Sequence, residues 1–111
     1  MILKTLDNKT VRMLNLVLFN EQEKKDFLLL LEKVGKEEGI NFNNNIVMSL
    51  LKDYQYKLSS HRTIYFFEYS KCITIVKRNN TIIDYYLDSD GSLIRSVNES
   101  VLYRQQKLQE N

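Results

Sequence analysis

The chain has 111 residues, of which 43% are hydrophobic and 27% charged, and its formal net charge is +2. This length and composition predict one folded domain over residues 1–111 and exclude a disordered tail. No apolar run approaches the roughly 18 residues of a membrane-spanning helix, and no secretory leader opens the chain, so we expect no membrane association and a cytoplasmic location. Cys72 is the only cysteine, which excludes an intrachain disulfide and a cysteine zinc cluster.

The N-terminal half predicts one strand pair and two helices. Residues 11–19 are apolar and rich in β-formers, which favours a buried strand paired with residues 1–6 through a turn at 7–9. A helix should begin after Asn20, because Glu23 follows three residues later, and end at Gly35 or Gly39. Residues 46–53 have helical spacing and should precede extended chain, although 54–58 also suits a strand.

The C-terminal half predicts a four-stranded meander over 63–69, 72–78, 81–87 and 92–97, followed by a short helix over 98–109. One set of alternating side chains should face the core: Tyr65, Phe67, Tyr69, Ile73, Ile75, Ile83, Tyr85 and Leu87. The opposite set is mixed, so a helix, barrel curvature or a partner should cover part of it. These elements predict an α+β domain whose curved, mixed or antiparallel sheet, or pseudobarrel, is flanked by two or three helices.

Residue patterns for catalysis or metal binding are weak. The loop from Asp88 to Gly91 suggests a calcium loop, but Leu93 stands where an EF-hand needs glycine, so a plain turn is the better interpretation. A surface position for His61 and a buried, inert Cys72 are simpler readings than catalytic roles. With three glycines and no phosphate-binding loop motif, the sequence predicts no enzyme activity, no metal and no cofactor.

Aromatic and basic residues alternate through the β-rich half, as in surfaces that bind single-stranded RNA. Outward-facing Phe66 and Tyr86 would stack on bases, with cationic side chains at the rim. The candidate RNA-binding residues are Arg62, Phe66, Lys71, Lys77, Arg78, Tyr86 and Arg95. In the alternative interpretation these rings belong to the core or to cross-strand pairs. A rival function is a small protein-binding module, such as an inhibitor or immunity-type factor of a mobile element, which would use the second sheet face and the helix surface at 27–34.

The opening residues, Met-Ile-Leu-Lys-Thr-Leu-Asp-Asn-Lys-Thr-Val-Arg-Met-Leu-Asn-Leu-Val-Leu-Phe, resemble those of the PrgU-type regulators of enterococcal pheromone-responsive conjugative plasmids. The order of elements also resembles a small PUA-like pseudobarrel. The resemblance covers most of the chain and implies an RNA-binding regulator that limits production of plasmid-encoded surface adhesins. It transfers no site residues, since the glycine-rich signature of PUA domains is missing.

Overall fold

The computed structural model describes residues 2–99, which form an antiparallel sheet with helices packed on one face. A 3-10 helix over Ile2–Thr5 is followed by α1 (Asn8–Val17), α2 (Glu21–Glu38) and α3 (Asn44–Lys52). The strands are β1 (Gln55–Ser59), β2 (Arg62–Phe67), β3 (Cys72–Lys77), β4 (Thr81–Leu87) and β5 (Leu93–Glu99). The α+β prediction is confirmed.

The predicted strand over 11–19 is wrong, because these residues belong mainly to α1. Asp7 caps this helix by accepting a hydrogen bond from the Thr10 amide at 2.8 Å. Thr10, Leu14 and Leu18 then recur every fourth residue and are all buried. The cap and this apolar stripe override the β propensity of the valines, and residues 2–5 form the 3-10 helix instead of a pairing strand.

The predicted start of α2 is confirmed. The Asn20 side chain accepts hydrogen bonds from the amides of Gln22 and Glu23 at 2.8 and 3.3 Å. The helix runs past Gly35 and ends at Gly39, whose φ of 66° is the left-handed conformation that glycine tolerates best. Its buried stripe is the predicted one: Phe27, Leu30, Leu31 and Val34.

The predicted helix over 46–53 is also confirmed, beginning two residues earlier. Asn43 provides the cap by accepting from the Ile46 amide at 3.1 Å. Ile46, Val47, Leu50 and Leu51 are buried. After Asp53, Tyr54 turns the chain into β1, so residues 55–59 follow the strand alternative.

All four predicted strands of the meander are present, and β1 adds a fifth. Within residues 2–99 the strand order is β1-β2-β3-β4-β5 with β1 and β5 at the edges, so the sheet does not close into a pseudobarrel. Residues 100–109 of the predicted helix over 98–109 lie outside the described residues, whereas Asn98 and Glu99 belong to β5 and not to a helix.

The prediction of which side chains face the core is wrong for β2 only. Phe67 pairs with Cys72 across the turn, so even positions of β2 lie opposite odd positions of β3. The core face therefore carries Ile64 and Phe66, whereas Tyr65 and Phe67 lie on the opposite face. The other predicted core strand residues, Ile73, Ile75, Ile83, Tyr85 and Leu87, do pack against the helices.

Candidate partner-binding surface

Four aromatic side chains are exposed at one end of the sheet, and we call this region the aromatic end: Tyr54, Phe67, Tyr69 and Tyr86. The antiparallel order brings them together, because β1 and β3 begin at the end where β2 and β4 finish. Phe67 is 50% exposed, Tyr86 is 40% exposed, and Tyr69 in the β2–β3 turn is fully exposed. Since large rings gain stability from burial, such a group of exposed rings is typical of an interaction surface.

Tyr54 has an unusual backbone conformation, and its side chain makes two contacts. Its φ of 59° is rare for a bulky residue and is expected to cost about 1–3 kcal/mol. Its ring stacks on buried Phe66 with centroids 6.4 Å apart, and Phe66 in turn contacts Phe27 at 4.7 Å. The Tyr54 hydroxyl donates to the Glu68 carboxylate at 3.2 Å, and the nearby negative charge raises the pKa of Tyr54.

Phe67 and Tyr86 lie on the sheet face opposite the helices, on either side of β3. The register places Cys72 between them, so the two rings are about two strand spacings, roughly 10 Å, apart. Cys72 is buried, and burial raises the pKa of its thiol, which makes it a poor nucleophile. The predicted inert Cys72 is thus consistent with its surroundings.

A cleft of about 390 Å³ lies between α2, the β2–β3 turn and the β4–β5 loop. Buried rings and aliphatic side chains form its floor, including Phe27, Leu30 and Phe66. Its charged lining consists of Glu23, Asp26, Glu68, Asp88 and Lys71, which sum to a formal charge of −3. The cleft adjoins the aromatic end, because Phe66 and Glu68 line the cleft and also lie beside Tyr54, Phe67 and Tyr69.

The structure separates the residues predicted to bind RNA. Phe66 is only 4% exposed and faces the helices, so its prediction as an outward stacking ring is wrong. The outward position of Tyr86 is confirmed. Lys71 lies in the β2–β3 turn at the aromatic end, whereas Arg78 follows β3 at the other end of the sheet, about 20 Å away along a six-residue strand.

Arg62 and Lys77 face the helix layer and contact Glu38 instead of forming an open basic rim. The Glu38 side chain is 5% exposed, with Lys77 Nζ at 3.1 Å and Arg62 Nη1 at 3.7 Å from its Oε1. It also accepts a hydrogen bond from the Tyr85 hydroxyl. Burial pushes the pKa of Glu38 upward, but the bonds from Tyr85 and Lys77 outweigh burial and lower it overall.

Arg95 lies opposite Tyr85 on β5 and is exposed. Burial and the Glu38 carboxylate raise the pKa of Tyr85 to about 12, and a hydrogen bond involving Arg95 opposes this shift. Of the five predicted cations, Arg62 and Lys77 thus form ion pairs with the buried Glu38 carboxylate. Arg95 interacts with Tyr85, whose hydroxyl donates to the same carboxylate. Their arrangement stabilises the junction between α2 and the sheet.

The loop after β4 is a turn. The Asp88 amide donates to the Ser92 carbonyl at 2.8 Å, and the Asp90 carboxylate accepts from the Ser92 amide at 2.9 Å. The Ser92 side chain and then its amide lower the pKa of Asp90. Gly91 has a φ of 84°. Among the described residues, no group of three or more histidine, cysteine, aspartate or glutamate side chains is placed to hold a metal ion. His61 is exposed in the β1–β2 turn.

Sequence reasoning missed Tyr54, Phe67 and Tyr69 as surface residues. Continuing the strand alternation through the β2–β3 turn wrongly predicts that Phe67 and Tyr69 face the core. A four-residue turn at 68–71, inferred from Tyr-Ser-Lys, would have reversed the faces of β2. No sequence signal marked Tyr54.

Comparisons with protein-family models, with characterised proteins and with solved structures find no match to this chain. Within residues 2–99, no helix has the length and apolar character needed to cross a membrane. The functional argument therefore depends on the chemistry of the surfaces described above.

Proposed function

We propose that the protein is a small binding module that engages a protein partner through the aromatic end. The observation that carries this proposal is the grouping of Phe67, Tyr69 and Tyr86 as exposed rings beside an apolar-floored cleft. Fully burying an exposed phenylalanine is worth about 1.5–3 kcal/mol, and the half-exposed Phe67 would gain part of this. Tyrosine and phenylalanine are also enriched at protein interfaces, where a few such side chains dominate affinity.

The charge at the aromatic end favours a protein over RNA as the occupant. Four carboxylates surround the cleft beside Tyr86, and Lys71 is the one cation among its lining residues. Phosphates would be repelled by this negative potential, and RNA affinity depends strongly on phosphate neutralisation. The predicted protein-binding surface on the helix at 27–34 is not available to a partner, because its apolar stripe is buried in the core: Phe27, Leu30, Leu31 and Val34.

RNA binding on the sheet face opposite the helices is the second candidate, and one observation favours it. Phe67 and Tyr86 flank small Cys72 in one cross-strand row, a spacing on which two bases can stack. Thr63 and Ser96 add polar groups on the same face that suit ribose hydroxyls. In this candidate the protein is the cytoplasmic regulator of plasmid conjugation genes that the resemblance implies.

Affinity capture with matched variants tests the two candidates. The wild-type chain, a Phe67→Ser/Tyr69→Ser variant and a Leu16→Ser/Phe19→Ser control would be immobilised and exposed to nuclease-treated lysate of the source organism. Leu16 and Phe19 are exposed apolar residues near the α1–α2 junction, so the control removes similar surface elsewhere.

The proposal predicts one stoichiometric protein that the wild type and the control retain and the aromatic variant loses. Loss in neither variant, or equal loss in both, would contradict a role for the aromatic end. Retention of nucleic acid instead, with affinity that falls steeply as salt rises, would favour RNA. Thermal melting of each variant excludes unfolding as the cause of a loss.

A further inference from the structure

We infer that the cleft between α2, the β2–β3 turn and the β4–β5 loop receives an arginine side chain from a basic segment of the partner. This inference rests on the proposed partner-binding function and adds the chemistry that the partner must present. Its basis is the combination of an apolar floor with a strongly negative rim in one cleft.

The floor suits a flat or aliphatic group. Phe27 and Phe66 lie in ring contact at 4.7 Å, and Leu30 continues the apolar surface along α2. The volume of about 390 Å³ is within the range of pockets that hold small ligands or single large side chains.

The rim carries a net negative charge that Lys71 and Lys33, which donates to the Gly91 carbonyl at 2.6 Å, offset only in part. Asp26 accepts from the Gln22 amide group at 2.9 Å, and Glu68 accepts from the Tyr54 hydroxyl. These donors are neutral, so they add no positive charge beside either carboxylate. Among the described residues, the ion pairs within 4 Å involve Glu21 and Glu38 and none of the four cleft carboxylates.

Arginine matches both properties of the cleft. Its guanidinium is planar, stacks on aromatic rings and donates paired hydrogen bonds to carboxylates. Its aliphatic stem can cover an apolar floor while its charged end stays at the rim. A lysine ammonium is more strongly hydrated and lacks the planar fork, so we expect it to bind more weakly in the same position.

Nuclear magnetic resonance titration of the full chain tests this inference. The probes are a short peptide with one arginine between two leucines and the same peptide with uncharged citrulline in place of arginine. We expect saturable shifts of the Ser89 and Gly91 amides with the arginine peptide and at least tenfold weaker binding of the citrulline peptide. A third peptide with lysine in place of arginine should bind with an affinity between these two.

Charge variants of α2 provide the matched comparison. Glu23→Gln/Asp26→Asn removes two negative charges from the rim, whereas Glu32→Gln/Glu37→Gln removes two from the same helix outside the cleft. We expect the first pair to weaken the arginine peptide by about two- to thirtyfold and the second by less than about twofold.

Equal binding of the citrulline peptide, equal effects of the two variant pairs, or shifts confined to other regions would overturn the inference. So would the lack of saturable shifts up to about 5 mM peptide. These results can be distinguished from failure of the proposed function. A partner captured through Phe67 and Tyr69 and still retained by Glu23→Gln/Asp26→Asn would leave the aromatic end as an interface and remove only the arginine site.

Discussion

Replacing Glu38 with alanine should destabilise the fold more than any other single loss of charge at the end of α2. Its carboxylate is almost completely buried and accepts from the Tyr85 hydroxyl, while Lys77 Nζ lies 3.1 Å away. Removing one member of a buried ion pair costs about 3–5 kcal/mol. Because Arg62 and Lys77 are about one-third exposed and can regain water, we expect a lower value of about 2–4 kcal/mol.

The loss should be visible in both chemical and thermal unfolding. For roughly 100 ordered residues the unfolding entropy is about 0.2 kcal/mol per kelvin, so the melting temperature should fall by about 10–20 °C. Urea unfolding followed by circular dichroism gives the free energy directly. The control is Glu37→Ala, which alters the exposed neighbouring residue. Equal effects of the two substitutions, or a loss below about 0.5 kcal/mol for Glu38→Ala, would refute a stabilising role of the cluster.

The same residue should contribute to acid sensitivity. Burial acts to raise the pKa of Glu38, but the bonds from Tyr85 and Lys77 make the net shift downward from the ordinary value of 4.5. Its contribution is therefore present above pH 4.5 and is lost as the pH falls through the lower folded-state pKa. Stability measured between neutral pH and pH 3 should decline less steeply in Glu38→Ala than in the wild type, and identical slopes would contradict the assignment.

Three further outcomes follow from the packing and the charges. Phe66→Ala should lower the unfolding free energy by about 3–5 kcal/mol, whereas Tyr86→Ala should lower it by less than about 1 kcal/mol. Similar losses for the two variants in urea unfolding would mean that Phe66 and Tyr86 are assigned to the wrong faces of the sheet. Gly35→Ala should destabilise by about 1–3 kcal/mol despite the better helix propensity of alanine, because a Cβ would lie 2.7 Å from the Ile40 carbonyl oxygen; a gain in melting temperature would contradict this contact. The raised pKa of Tyr85, about 12, predicts that the stability contributed by its hydroxyl is retained up to about pH 10 and lost as the pH rises toward 12. Tyr85→Phe should remove a phenol that ionises near pH 12 from an absorbance titration, and an unchanged titration would refute the assignment.

Local signals were sufficient to predict much of the fold. The Asn20 cap with Glu23 predicts the correct start of α2, and the predicted breaks between 78 and 81 and over Asp88–Gly91 correctly divide the meander. These features depend on interactions within a few residues. The helix α1 was missed because residues 11–19 form an apolar block whose period is ambiguous, while its decisive cap, Asp7, lies outside that block.

The pairing register between neighbouring strands was harder to predict than the positions of the strands. Side-chain alternation within β2 is certain once the strand is known, but its inward face depends on the length of the turn to β3. Pairing of Phe67 with Cys72 reverses the assumed relation and moves Phe66 into the core. One turn therefore decided which ring is exposed.

The candidate surfaces depend on contacts between distant parts of the chain. Glu38 and Tyr85 are separated by 47 residues in sequence, so their bond could not be derived from spacing. The cleft combines side chains of α2 with those of two loops in the sheet, including Asp26 and Asp88. The alternation of basic and aromatic residues does not indicate that Lys77 pairs with a helix carboxylate.

Photo-crosslinking in living cells tests the partner-binding surface most directly. A photoreactive phenylalanine derivative would replace Tyr69 at the aromatic end in one strain and Phe19 in another, since both side chains are well exposed. We expect irradiation to yield a discrete, nuclease-resistant protein adduct from position 69 and none from position 19. An adduct that disappears on ribonuclease treatment, or equal labelling from both positions, would contradict a protein interface at the aromatic end.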